Sequence, residues 1–208
     1  GPSIHAFQEL TKEAEKTALS APKVSQEERR KQSALAAGKR QPSEAETRYL
    51  IDEQLRKVGW EADTEKLRYS KGTRPEKGRN MAIAEWPTDS HVGNRGYADY
   101  ALFVGTELIA TIEAKASHKD IPSVIDYQCK EYSQNIREKD SQYQIGTWGK
   151  YKVPFTFATN GKPYLEQYKT KSGIWFLDLR QSYNAPRALQ GWMSPDGIKE
   201  LLALDTES

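Results

Sequence analysis

Apolar positions along this 208-residue chain follow two different periods. Leu50, Ile51, Leu55 and Val58 recur at helical spacing, behind a start signal at Pro42-Ser43. Ser43 and Glu46 stand in capping-box spacing and Gly59 supplies a stop, so a helix is predicted from Ser43 to just before Gly59. Three strand-like runs follow at Met81–Trp86, Tyr97–Val104 and Leu108–Lys115. Asp120 and Pro122 then open a second helix, with Ile121, Val124, Ile125, Gln128, Tyr132 and Ile136 as its inward stripe. Phe155–Thr159 reads as a strand and Asn160-Gly161 as a turn. Tyr164–Tyr168 and Ile174–Leu177 read as further strands, and Ser194-Pro195 caps a short helix through Leu202. The order of helix, three strands, helix and strand predicts an α/β fold, a central mixed β-sheet flanked by helices.

The first 44 residues have a different texture. Phe7 is their one aromatic, and most of their apolar residues are alanines. Phe7, Leu10, Ala14 and Ala18 predict a short amphipathic helix. Ser25-Gln26-Glu27-Glu28 and Gly38 bracket a second over 25–37. Residues 1–44 are therefore read as a helical lead-in and 45–208 as the folded domain. Gly1-Pro2-Ser3 has the look of a protease-cleavage scar.

Composition narrows the class without naming a function. The chain is 37% hydrophobic and 29% charged, with no apolar run near the ~18 residues of a membrane span and no signal-peptide pattern. Its one cysteine, Cys129, excludes an internal disulfide framework and a cysteine-cluster zinc site. A soluble protein of a reducing compartment, the cytoplasm, is expected. Net charge is +2, and residues 46–208 are balanced at 23 basic against 23 acidic. Any case for nucleic acid must therefore rest on a local patch. One exists at 66–80, where Lys66, Arg68, Lys71, Arg74, Lys77 and Arg79 surround one acid, Glu76, among Gly72, Pro75 and Gly78. Of these, Lys71, Arg74, Lys77 and Arg79 are the candidates for phosphate contact.

Candidate chemistry sits in the second and third strands. Strand side chains repeat with period two, so Ala98, Tyr100, Leu102 and Val104 share one face, and Asp99 lies on the other with Tyr97 and Phe103. In the next strand Leu108, Ala110, Ile112 and Ala114 form an apolar face, opposite Glu113 and Lys115. Register decides whether the carboxylates meet. A three-residue loop, Gly105-Thr106-Glu107, or a bulge puts Asp99 opposite Glu113. A two-residue Gly105-Thr106 turn puts Asp99 opposite Ile112, facing away. Paired carboxylates repel unless a cation lies between them, and hard oxygen ligands suit Mg²⁺. Gln128 and Tyr132, four apart on the following helix, could reach the same place. No nucleotide-binding, zincin or serine-hydrolase motif occurs.

Asp99, Glu113-Ala114-Lys115 and Gln128-x-x-x-Tyr132, in this element order, resemble the PD-(D/E)xK nuclease superfamily, with its RecB-like branch closest in the Q-x-x-x-Y box. The stretches at 50–60 (LIDEQLRKVGW), 74–87 (RPEKGRNMAIAEWP), 98–103 (ADYALF), 154–165 (PFTFATNGKPYL) and 172–176 (SGIWF) are similar to the N-terminal part of type I restriction endonuclease R (HsdR) subunits. The resemblance implies a restriction-endonuclease-like fold and Mg²⁺-dependent endonucleolytic cleavage of double-stranded DNA, as a type I site-specific deoxyribonuclease. It implies that Asp99, Glu113 and the Ala114 carbonyl bind the metal, that Lys115 orients or activates the attacking water, and that Gln128 and Tyr132 position the DNA backbone and the lysine. A glutamate from the helix before the sheet, Glu46 or Glu44, is a further candidate, although Glu46 also has its capping role. The implied partners are an ATP-driven helicase motor of the same subunit and methyltransferase and specificity subunits. Alternatives are a RecB-like exonuclease or repair nuclease, and a non-catalytic module docking the motor to the methyltransferase core.

Overall fold

A computed structural model describes residues 43–91, 96–115, 120–162 and 171–204. The helices expected within 4–37 and the strand expected at 164–168 lie outside the described residues. Among those described, no helix is long and apolar enough to cross a membrane.

The first helix, α1 (Glu44–Lys57), begins as the sequence predicts. Ser43 Oγ accepts from Glu46 N at 3.1 Å, and Ser43 N donates to the Glu46 carboxylate at 3.4 Å. Seven strands then form one sheet in sequential order: β1 (Glu61–Ala62), β2 (Asn80–Pro87), β3 (Tyr97–Val104), β4 (Glu107–Ala114), β5 (Phe155–Thr159), β6 (Ile174–Asp178) and β7 (Arg187–Leu189). β1–β2 and β4–β5 are parallel and the other pairs antiparallel. The fold is thus an α/β restriction-endonuclease-like arrangement around a mixed sheet. The two-residue β1 and three-residue β7 are too short to leave a periodic signal.

One face packs on α1 and the last helix, α4 (Pro195–Ala203), through Ile51, Leu55, Tyr100, Leu102, Ile112 and Leu201. The other face carries Met81, Ile83, Trp86, Ala101, Phe103 and Leu108. The parallel β4-to-β5 step needs a crossover, which supplies the helices of this second face. That crossover is not one regular helix. It runs as α2 (Ile121–Val124), a π-helical turn (Ile125–Cys129) and α3 (Lys130–Gln134), with Lys130 N donating to Ile125 O. Ile121, Ile125 and Cys129 are all buried. Successive four-residue steps drift around a 3.6-residue helix, and the wider turn takes up that drift.

Two irregularities shape the middle of the sheet. In β3–β4, Val104 pairs with Glu107 and Phe103 with Leu108, but Leu102 pairs with Ala110. Ile109 is therefore an extra, bulged residue. This corrects the expected faces of the third strand: Leu108 packs beside Phe103, while Ile109 and Ala110 both join the α1-side core. The second irregularity is at Glu85, a non-glycine with φ 54°. Ala84 pairs with Tyr100 and Trp86 with Ala98, but the Glu85–Asp99 step between them is absent from the ladder. Regular alternation from Met81 and Ile83 would put Glu85 on their face, beside Asp99. Instead Trp86 takes that face, and Glu85 lines a groove against α1, paired with Arg68.

Candidate active site

The bulge resolves the register. The turn at Gly105-Thr106 has two residues, which alone would set Asp99 opposite Ile112. The extra Ile109 shifts the ladder by one, so Tyr100 pairs with Ile112 as its last pair, and the same register carried one residue further sets Asp99 opposite Glu113. The expectation that the carboxylates meet only through a longer loop or a bulge is met by the bulge. Asp99 Oδ2 accepts from Ala114 N at 2.7 Å, tying the two strands together at the site. Lys115 N donates to Thr159 O at 2.9 Å, which holds the end of β4 against β5.

Both carboxylates are buried, Asp99 at 8% and Glu113 at 5% exposure. Burial first, and the adjacent Asp99 carboxylate second, hold the Glu113 carboxyl well above the usual carboxylate range, while Lys115 and Tyr132 pull the other way. Lys115 Nζ lies 4.0 Å from Glu113 Oε1. Glu113 Oε2 has no hydrogen-bond partner, nor has the buried Oε1 of Gln128. Tyr132 is buried beside the pair, and desolvation together with the two carboxylates pushes its phenol upward. Below it, Thr111 Oγ1 contacts Ser133 Oγ at 3.2 Å and Thr156 Oγ1 at 2.8 Å, so hydroxyls anchor α3 to β4 and β5. Cys129 is fully buried, with Sγ on Phe157 O at 3.6 Å, and burial raises its thiol. It is structural.

Asp99, Glu113, Lys115 and Tyr132 are thus brought together, and Gln128 lies half-buried one helical turn before Tyr132. Glu46 is exposed and occupied as the capping-box partner of Ser43. The basic loop divides. Arg74 lies over the Tyr69 ring at 3.5 Å and donates to Tyr69 O and Thr73 O. Arg79 is ion-paired with Glu61 and Glu76. Lys71 and Lys77 are exposed. Sequence reasoning missed Arg48, 5% exposed, which donates from Nη1 to Asp99 Oδ1 at 3.2 Å and from Nη2 to Asp99 O at 2.9 Å. Its i−3 spacing from the inward-facing Ile51 was the available signal.

Among the described residues no cluster of three or more His, Cys, Asp or Glu could hold a metal. Two side-chain carboxylates are what the site offers, so a bound ion would keep several waters. The buried, unpartnered Glu113 Oε2 beside a second carboxylate fits a small hard cation.

A mixed sheet with buried, paired carboxylates beside a lysine defines a class, the restriction-endonuclease-like α/β proteins. Within it the chain belongs to the family described as the second domain of the type I restriction enzyme EcoKI endonuclease subunit, whose model matches residues 61–202. It is 42% identical over 189 residues to the type I restriction enzyme EcoKI endonuclease subunit of Escherichia coli (strain K12), covering 79% of this chain. The chain spans 16% of that relative's length. No solved structure matches.

Proposed function

We propose that this domain is the nuclease module of a type I restriction enzyme R subunit, cleaving phosphodiester bonds of double-stranded DNA with Mg²⁺. The observation that carries the reading is the bulge-set register, which buries Glu113 beside Asp99 and leaves Glu113 Oε2 unpartnered. Asp99, Glu113 and the Ala114 carbonyl would hold the ion, whose bound water would be the more acidic and whose charge would offset that on the reacting phosphate. Lys115, half-buried at the mouth of the site, orients the attacking water and steadies the charge that develops on the phosphoryl oxygens. Gln128 and Tyr132 set the position of the DNA backbone against Lys115.

In this reading the domain works in the cytoplasm. It joins an ATP-driven helicase motor of the same subunit and the methyltransferase and specificity subunits. Target choice belongs to the specificity subunit, so this domain makes backbone contacts and leaves base reading elsewhere.

The test uses the reassembled enzyme and the purified domain together. Asp99→Ala and Glu113→Ala should abolish both Mn²⁺ binding by calorimetry and plasmid cleavage. Lys115→Ala should keep Mn²⁺ binding and lose cleavage. Lys115→Arg should also fail, because the planar guanidinium cannot hold a small water in the same place. Unchanged Mn²⁺ affinity in Asp99→Ala, or full cleavage by Lys115→Arg, would refute the assignment. A preference for free DNA ends would move the reading to an exonuclease.

A further inference from the structure

Arg48 stands apart from the motif residues. It rises from α1 on one side of the sheet, yet its guanidinium reaches a carboxylate that alternation assigns to the other side. The kink at Glu85 marks the route. Where a regular β2 would set Glu85 beside Asp99, the ladder is interrupted, and the Asp99 carbonyl receives Arg48 Nη2. A non-glycine held at φ 54° is strained, and such strain persists only where surrounding structure imposes it. Arg48 is fixed from its other sides as well. Its guanidinium lies 4.6 Å from the Tyr100 ring centre. The Tyr100 hydroxyl donates to Asp52 Oδ1 at 2.6 Å, and Asp52 in turn accepts from Thr64 N and Oγ1, both at 2.8 Å. The groove of about 650 Å³ along α1 is lined by Arg48 together with Asp52 and Glu85.

The consequence is a charge balance specific to this site. Each Asp99 oxygen already carries a donor, Arg48 on Oδ1 and Ala114 N on Oδ2. Lys115 stands by Glu113. Two carboxylates therefore face two cations before any metal arrives. We infer that Arg48 is a positioning residue that acts as a resident counter-cation for Asp99, sharing Oδ1 with an incoming divalent ion and weakening the grip of the site on its metal. The inference rests on the proposal that Asp99 is a metal ligand. It differs from a purely structural ion pair in one respect. A structural pair leaves metal affinity alone when it is removed from a protein that still folds, whereas removing a positive charge beside a ligand strengthens it.

The experiment is Mn²⁺ calorimetry on the 208-residue chain and its Arg48 variants, with melting curves to confirm folding. Arg48→Met should bind Mn²⁺ about tenfold more tightly, since a unit charge beside the ligand is removed. Arg48→Lys keeps the charge and should stay within about threefold of the parent. Arg48→Gln serves if the methionine variant fails to fold. Unchanged or weaker Mn²⁺ binding in a folded Arg48→Met or Arg48→Gln protein overturns the counter-cation role while leaving the metal assignment standing. No Mn²⁺ binding by the parent or any variant, with Asp99→Ala equally silent, overturns both.

Discussion

Replacing Glu113 with glutamine should make the metal-free protein more stable at neutral pH. The carboxylate is 5% exposed and one oxygen has no partner. Lys115 attracts it at 4.0 Å, and Asp99 repels it from the opposite strand position. The effect of Asp99 is the larger of the two, so the neighbouring charges give the buried carboxylate no net relief. What remains is the cost of desolvating an unsatisfied charged group, about 2 kcal/mol. For a domain of this size that corresponds to a rise in melting temperature of roughly 4–8 °C.

The pH dependence has a definite sign. Burial and the Asp99 carboxylate raise the folded-state value of Glu113, so the native state holds its proton more tightly than the unfolded chain does. The contribution is fully present below the ordinary carboxyl range and is lost as pH rises through the higher native value. Parent and Glu113→Gln melting temperatures should converge near pH 4 and separate on going to pH 8. Mg²⁺ reverses the order: at about a hundred times its dissociation constant it adds roughly 2.7 kcal/mol to the parent and nothing to the variant. Melting curves of both proteins by circular dichroism at the two pH values, with and without Mg²⁺, give the gap under all four conditions. A Glu113→Gln protein less stable than the parent at pH 8 without metal would refute the reasoning, as would a gap that does not change with pH.

Two further outcomes separate roles that the sequence left joined. Glu46→Ala should cost about 0.3–1 kcal/mol, the worth of an acidic side chain in the first turn of α1, and leave Mn²⁺ affinity unchanged; a loss of Mn²⁺ binding would restore Glu46 to the site. Neutralising Lys71 and Lys77 should lower the slope of log affinity for duplex DNA against log salt by about 1.8, the worth of two phosphate contacts, measured on the assembled enzyme. An unchanged slope would make the loop a solvated surface.

Much of this arrangement was legible before any coordinates. The α1 capping box, the bounds of β3 and β5, and the placing of Asp99 and Glu113 on adjacent strands ahead of the helix that carries Gln128 and Tyr132 follow from local rules, because period, caps and turn residues report on short range; whether the two carboxylates meet was left to the register. The misses are non-local. The side of the sheet that Leu108 faces depends on one extra residue in β4, and nothing in the LIATIE run marks Ile109 as that residue. Arg74 and Arg79 look like free cations in a basic run, yet one is spent on Tyr69 and the other on Glu61, 18 positions away. Arg48 was invisible as a site residue because its partner lies 51 residues on and belongs, by alternation, to the opposite face. The π turn likewise answers to a sheet surface and not to its own sequence.

The bulge gives the strictest check on the register. If Gly105-Thr106 is a two-residue turn and Ile109 is the odd residue, deleting Ile109 removes the bulge without moving either half of the ladder. Leu108 would still pair with Phe103, Ala110 with Leu102, and Glu113 would still fall opposite Asp99. The cost would be that of a fully buried isoleucine lost from the α1-side core, about 2–5 kcal/mol. If β4 were instead unbulged behind a three-residue loop, the same deletion would turn every residue beyond it to the opposite face. Glu113 would point into the α1-side core and Ile112 toward Tyr132. The two cases differ in metal binding, not only in stability. The Ile109 deletion should melt several degrees lower yet bind Mn²⁺ within about threefold of the parent, because both carboxylates keep their places. Complete loss of Mn²⁺ binding in a deletion variant that retains a cooperative melt would show that the odd residue is elsewhere, and that Asp99 and Glu113 meet by another route.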